Sequence, residues 1–431
     1  MQKRNKTLSA QLGDYVEISL MKKDYQGVLL EVPKEEKGII LLKLDSGYNI
    51  GFKKKDVLDM RILEKGKGIE EKIEIKKDKE KPNIAMIITG GTIASRIDSK
   101  TGGVDPLSSP EELFKFYPEL FKRVNVLRIE IPFMKASEDM DFKDWQKIAR
   151  ITTRFLNDSN IKGVIITHGT DFLHYTSAAL SFFIKNLNKP IVLTYSQRSI
   201  DRASSDANFN LQCSALAAIS DIAEVMVVGH ASMNDDYCYA MPASKVRKLH
   251  TSRRDAFKVV NEKPFAKIFL DKIEKISDYK IRNKNKVQLD AKFEEKVVLL
   301  KVYPGQKPDI LDYYVKNKYK GVVLEMSGLG HVPTKKARNS WISKLREVQN
   351  KGLIICATSQ CIYGRVDPLV YSNGREILST GVIYLEDMLS EVAFVKLGWV
   401  LGHKEWAKSK EIIKAKMLHN FTHELNDRLE E

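Results

Sequence analysis

The residues best suited to covalent chemistry stand in two short runs, Thr89-Gly90-Gly91-Thr92-Ile93-Ala94-Ser95 and Thr167-His168-Gly169-Thr170-Asp171. Each closes a continuous apolar stretch, IAMIIT and GVIITH, of the kind that forms a strand buried on both faces. Ligands of open parallel sheets bind outside the carboxyl ends of the strands, so two such ends on neighbouring strands turn their hydroxyls into one crevice. A threonine hydroxyl is a poor nucleophile until a base takes its proton. A lysine in its amine form is such a base, and Asp171 is placed to orient one. Gly90 and Gly91 allow a tight turn and a close backbone approach, and they or the Gly169 loop can donate to the oxyanion of a tetrahedral intermediate. The chemistry that suits this set is amide hydrolysis, with no metal required. Read alone, TGGT is also a glycine turn, and HGTD is also a helix start capped by Thr170 or Asp171. The first run contains neither G-x-x-x-x-G-K-[ST] nor G-x-G-x-x-G, which speaks against a nucleotide site.

Other reactive side chains carry less. The basic run SKVRKLHTSRRDAF at 244–257 holds Lys245, Arg247, Lys248, Arg253 and Arg254, which read equally as a solvated or interface loop and as catalytic or RNA contacts. His168, and His331 in SGLGHVP, stand at strand ends, where a histidine is more often hydrogen-bonded structure than a ligand. The glycine-rich setting of His331 also suits the lining of a cleft. Cys213, Cys238, Cys356 and Cys361 form no C-x-x-C pair and lack zinc-finger spacing, so they are expected to be reduced and mostly buried.

The elements that must position these residues follow from the texture of the chain. Its 431 residues are enough for two or three domains, and 43% hydrophobic with 29% charged content excludes disordered and fibrous classes. No apolar run reaches the length of a membrane span and no apolar segment follows the basic start, so a cytoplasmic protein is expected. The net charge of +15 favours polyanionic partners without bearing on fold. Residues 1–63 alternate in short runs (YVEISL, YQGVLLEV, GIILLKL, YNIGFK) broken by turn residues, which predicts a small all-β barrel. Residues 64–82 are charged and read as a linker. From Ile84, apolar strands alternate with helix-compatible stretches, the signature of a parallel α/β sheet. This gives a first lobe over 83–275, a charged inter-lobe linker over 276–296, and a second α/β lobe with a helical tail over 297–431.

TGGTIAS at 89–95 and GVIITHGTDFLHYTSAAL at 163–180 resemble the paired signatures of the L-asparaginase and amidohydrolase family, over roughly residues 83–400. The resemblance implies an asparaginase-like two-lobe fold, Thr92 as nucleophile, and a second set of Thr170, Asp171 and a lysine. Ala136-Ser137-Glu138-Asp139-Met140 resembles the loop that holds the amino-acid head group, so Gly91, Ser137, Glu138 and Gly169 are the implied substrate-binding residues. Glu138 stands where the free enzymes usually have glutamine. Counting from NFNL at 208–211 to the position of the family's lysine ends near Asp221, in a stretch without lysine. The amine is therefore sought at Lys245 or Lys248, and Lys248 is our choice. The tyrosine that usually follows the first motif is also missing from residues 96–105.

The N-terminal barrel, the charged linker and KLHTSRRDAF further resemble the D-type subunits of the archaeal glutamyl-tRNA(Gln) amidotransferases. That resemblance implies hydrolysis of glutamine or asparagine and transfer of ammonia to an E-type partner, which uses ATP and Mg2+ to amidate Glu-tRNA(Gln). No cofactor is implied for this chain, and a homodimer of D-type subunits is implied as the core of a D2E2 heterotetramer. A free L-asparaginase is the alternative enzyme. An inactive scaffold that docks a partner and tRNA is the alternative of another class.

Overall fold

The computed structural model describes residues 10–30, 38–45, 49–65, 78–97, 104–106, 117–200 and 204–428. Most of the expected 64–82 linker, and residues 98–103 of the stretch that lacks the tyrosine, lie outside these.

The N-terminal strands β1 (Tyr15–Ser19), β2 (Asp24–Leu30), β3 (Ile39–Leu44), β4 (Asn49–Lys53) and β5 (Asp59–Glu64) form an antiparallel sheet in the order β4-β3-β2-β1-β5. Strand alternation turns Val16 and Ile18 inward against Leu42 and Phe52, giving this all-β unit its own small core.

The first α/β lobe is built on eight strands: β6 (Asn83–Ile88), β7 (Asn125–Glu130), β8 (Val164–Thr167), β9 (Ile191–Thr194), β10 (Val225–His230), β11 (Cys238–Pro242), β14 (Ala266–Ile268) and β15 (Ile273–Lys275). Between them a separate hairpin, β12 (Val246–Lys248) and β13 (Phe257–Val259), leaves the sheet. The sheet order is β15-β14-β11-β10-β9-β8-β6-β7, parallel from β10 to β7 and antiparallel beyond. The central strands β8, β9 and β10 are buried along their length, which explains why they read as unbroken apolar runs. Helices α1 (Phe142–Leu156) and α2 (Leu173–Phe183) belong to one core cluster of the lobe, and α3 (Ala207–Ile219) to the other. A capping box closes the start of α1: the Asp141 carboxylate accepts from Lys143 N, and the Asp144 carboxylate accepts from Asp141 N.

Residues 276–296 run against the first lobe, with Val287 buried and Gln288–Leu289 paired to Ile184–Lys185. In the second lobe β16 (Val297–Lys301), β17 (Gly321–Met326), β18 (Ile354–Ser359) and β19 (Ile383–Tyr384) are parallel and in chain order. Helix α4 (Ser390–Gly402) is buried between this sheet and α2 of the first lobe.

The expected helical tail is helical only over α5 (Lys410–Leu418); residues 419–428 form an irregular strap. Its Glu424 carboxylate reaches Lys396 Nζ of α4 at 2.6 Å, both side chains fully buried. Cys213, Cys238 and Cys356 are buried, Cys361 is exposed, and all four are free. No helix of the described residues is long and apolar enough to cross a membrane.

Candidate active site

Strands β6 and β8 are hydrogen-bonded neighbours with Ile88 opposite Thr167, so the two motifs leave the sheet side by side at its carboxyl edge. Thr89 Oγ1 ties them by donating to Thr167 O at 2.8 Å. Gly90 and Gly91 take φ of +128° and +82°, a region costly for a side chain. A Cβ on Gly90 would lie 2.3 Å from Lys135 O, and one on Gly91 2.5 Å from Gly169 N. The first motif therefore bends tightly between the 135–139 loop and the second motif. Thr92 opens a 3-10 turn and is half-buried. It and Thr170 each follow one of the two glycines in contact.

The third segment closes on the same point. Gly169 packs on Ser137, and Ser137 Oγ accepts from Phe172 N at 3.2 Å while lying 3.3 Å from Glu138 Oε2. Glu138 is exposed on the rim of a cavity of about 400 Å³ walled by Phe142, Trp145, Phe172 and Phe394, a volume that fits a small ligand. Gly91, Thr92, Ser137, Glu138, Gly169, Thr170 and Asp171 are thus gathered by three loops at one sheet edge.

The lysine follows from strand alternation. In β12 and the residue before it, side chains alternate in direction. Lys245 and Arg247 share one face: Lys245 is fully buried and paired with Asp387, and Arg247 Nη2 lies 3.0 Å from Glu391 Oε1. Lys248 points the other way, with Nζ 2.8 Å from Thr170 Oγ1 and 2.7 Å from Asp171 Oδ1. Its side chain is only 10% exposed, against 61% for Asp171. A mostly buried amine so joins a hydroxyl and a carboxylate across two motifs distant in sequence. Asp221 lies elsewhere. Helix α3 runs back to the amino edge of the sheet, and Asp221 beyond it hydrogen-bonds Tyr279.

The remaining cations and histidines are internally engaged. Arg253 pairs with Asp255 and Arg254 with Asp235, so all five basic residues of the 244–257 run have carboxylate partners inside the chain. His168 is fully buried, its ring nitrogens on Gly169 O and Thr176 Oγ1, and burial pushes it down to about 4, so it is neutral at physiological pH. His331 bridges to Ser327 and packs its ring on Tyr371 in the second lobe.

Two residues outside the sequence reading border the site. His174, buried in the first turn of α2, is pushed down to about 3 by burial and by the Arg247 and Lys248 charges. Glu391 stands 3.9 Å from its Nε2, and burial raises that carboxyl above the usual range. A glutamate within the apolar run SEVAFVKLGWV is the signal that points to Glu391.

Three family models match this chain: a GatD N-terminal domain over residues 10–63, the N-terminal asparaginase domain over 83–280, and the glutaminase/asparaginase C-terminal domain over 296–415. Among solved structures, the thermostable L-asparaginase of Thermococcus kodakarensis is 29% identical with a TM-score of 0.70, covering 80% of this chain and 100% of its own. The L-asparaginase I of Vibrio cholerae is 26% identical with a TM-score of 0.67, covering 80% and 99%. Among curated proteins, the D-type subunit of the glutamyl-tRNA(Gln) amidotransferase of Pyrococcus furiosus is 46% identical over 425 residues, which are 96% of this chain and 95% of the relative. That of Methanothermobacter thermautotrophicus is 40% identical over 427 residues, 97% and 95% of the two chains. With an asparaginase-like body, its own N-terminal unit and end-to-end likeness to these relatives, the chain belongs to the family of D-type subunits of the glutamyl-tRNA(Gln) amidotransferases.

Proposed function

We propose that this chain is the amidohydrolase subunit of an ATP-dependent, tRNA-linked ligase, cleaving the side-chain amide of glutamine or asparagine with Thr92. The observation that carries this reading is the Lys248 amine within hydrogen-bond reach of Thr170 and Asp171, beside the glycine turn that presents Thr92. Thr92 Oγ attacks the amide carbon, and backbone amides of the Gly90–Gly91 turn or the Gly169 loop receive the oxyanion. The Lys248–Thr170 pair takes the hydroxyl proton and returns it to nitrogen as the C–N bond breaks and ammonia leaves. Water then hydrolyses the threonine ester, restoring the hydroxyl and releasing the acid. Ser137, Glu138, Gly91 and Gly169 hold the head group.

The relatives' shared name supports the destination of the ammonia: an E-type partner that activates Glu-tRNA(Gln) with ATP and Mg2+, in a D2E2 assembly built on a dimer of this chain. No residue of this chain is assigned to ATP or Mg2+. The setting is the cytoplasm, where free cysteines stay reduced.

In the reconstituted complex, Thr92→Ala and Lys248→Ala should each cut glutamine-dependent amidation by about a thousandfold or more while leaving ammonia-dependent amidation intact. Loss of both activities overturns this division of labour. Because the solved L-asparaginases overlay along their whole length, asparagine is the control substrate. Equally rapid asparagine hydrolysis with and without the partner favours a free asparaginase.

A further inference from the structure

Strand β12 is gripped from two sides. On one face Lys248 meets Thr170 and Asp171; on the other, Lys245 and Arg247 meet Asp387 and Glu391, which flank the start of α4 in the second lobe. The base-bearing strand of the first lobe is thus tied by two ion pairs to the second.

The Arg247–Glu391 pair is a costly way to join two lobes. Glu391 has a side chain 6% exposed, and its neighbour Glu325, itself held by Lys301 at 3.1 Å, repels it. Glu391 Oε2 and His174 Nδ1 are buried there without a hydrogen-bond partner among the described residues. A buried ion pair is often no more stabilising than well-packed apolar side chains, and unpaired polar atoms add to its cost. What the pair does supply is direction, because a guanidinium fixed on a carboxylate sets the orientation of its strand.

We infer that Glu391 is a positioning residue: through Arg247 it fixes β12 so that Lys248 Nζ stays on Thr170 Oγ1. The second lobe then acts on the reaction without touching the amide. The inference rests on the amidohydrolase reading above.

The test is ammonia release from glutamine by the full chain together with its partner, with kcat and KM separated, for Glu391→Gln, Arg247→Met and the double variant. Misplacing a catalytic group by a fraction of an ångström to one ångström is costly, so each single change should lower kcat about tenfold with KM for glutamine unchanged. Once the tie is cut the second substitution has nothing left to break, so the double variant should match the more impaired single one, and Arg247→Lys should recover part of the loss. Arg247 is half-buried, so its variants keep the test available should Glu391→Gln lower the yield of folded protein. Wild-type kcat in folded variants, a loss confined to KM, or multiplicative losses in the double variant would each overturn the inference. Lys248→Ala as active as the wild type would instead overturn the amidohydrolase reading.

Discussion

A methyl group is enough to probe the glycine turn. At Gly91 an alanine would have to keep φ near +82° and push its Cβ to 2.5 Å from Gly169 N, backbone that cannot swing aside as a side chain would. Gly91→Ala should therefore separate the two motifs and lower kcat for amide hydrolysis at least about a hundredfold, in a protein whose circular dichroism is unchanged. Wild-type turnover would mean that the contact does not set the site. The two buried histidines predict a pH response. A histidine whose folded-state value lies below its unfolded value of about 6.5 takes its proton first in the unfolded chain. Stability is then full above pH 6.5 and falls as pH drops towards the folded values of about 4 for His168 and about 3 for His174, by about 1.4 kcal/mol per unit and histidine. Urea unfolding between pH 6.5 and 5 should show that slope, and His168→Asn should remove about half of it. An unchanged slope would refute the assignment. At this scale the sequence is informative where function sits at strand ends: Thr92, Thr170 and Asp171 are displayed by apolar runs that announce themselves. It leaves Lys245 and Lys248 open because the choice depends on which face of β12 meets the second lobe.

Among the elements, α4 departs most from its composition. Its burial is nearly complete, yet it carries Glu391 and Lys396, and both are answered from outside the helix, by Arg247 and by Glu424 of the strap. Lys396 also donates to Met417 O and His419 O, so all three ammonium protons are used. Removing one partner of such a pair leaves an uncompensated buried charge, and Lys396→Met should cost about 3–5 kcal/mol in urea unfolding. Lys396→Met with Glu424→Gln should cost less than the sum of the singles, since the amide still accepts from Phe421 N and Thr422 N. Additive losses would show that the two side chains act independently. The same strap explains why the tail reads as continuous helix and yet is not. Its residues are helix-compatible, but His423 turns to φ +65° so that Glu424 faces Lys396, a demand set by a residue far back in the chain.

For the whole molecule, alternating apolar and amphipathic segments make both α/β lobes readable, because parallel strands buried on both faces leave an unbroken apolar signature. The N-terminal sheet is readable for the opposite reason, its turns and two-residue alternation marking each strand. The joints between lobes are not readable, since they are made by single charged residues that no periodicity flags. The excess of positive charge is likewise a poor guide to where a polyanion docks, because the densest basic run is neutralised from within.

The tie between β12 and α4 also bears on the order in which the protein is made. A ribosome that has delivered the first lobe has already supplied both threonines and the lysine, but not Asp387 or Glu391, which emerge only with the last elements of the chain. If those carboxylates set the lysine's strand, the half-made polypeptide is a resting one. Amide cleavage then begins only when synthesis is nearly complete, so a growing chain consumes no amino-acid amide before there is a finished protein to use the ammonia.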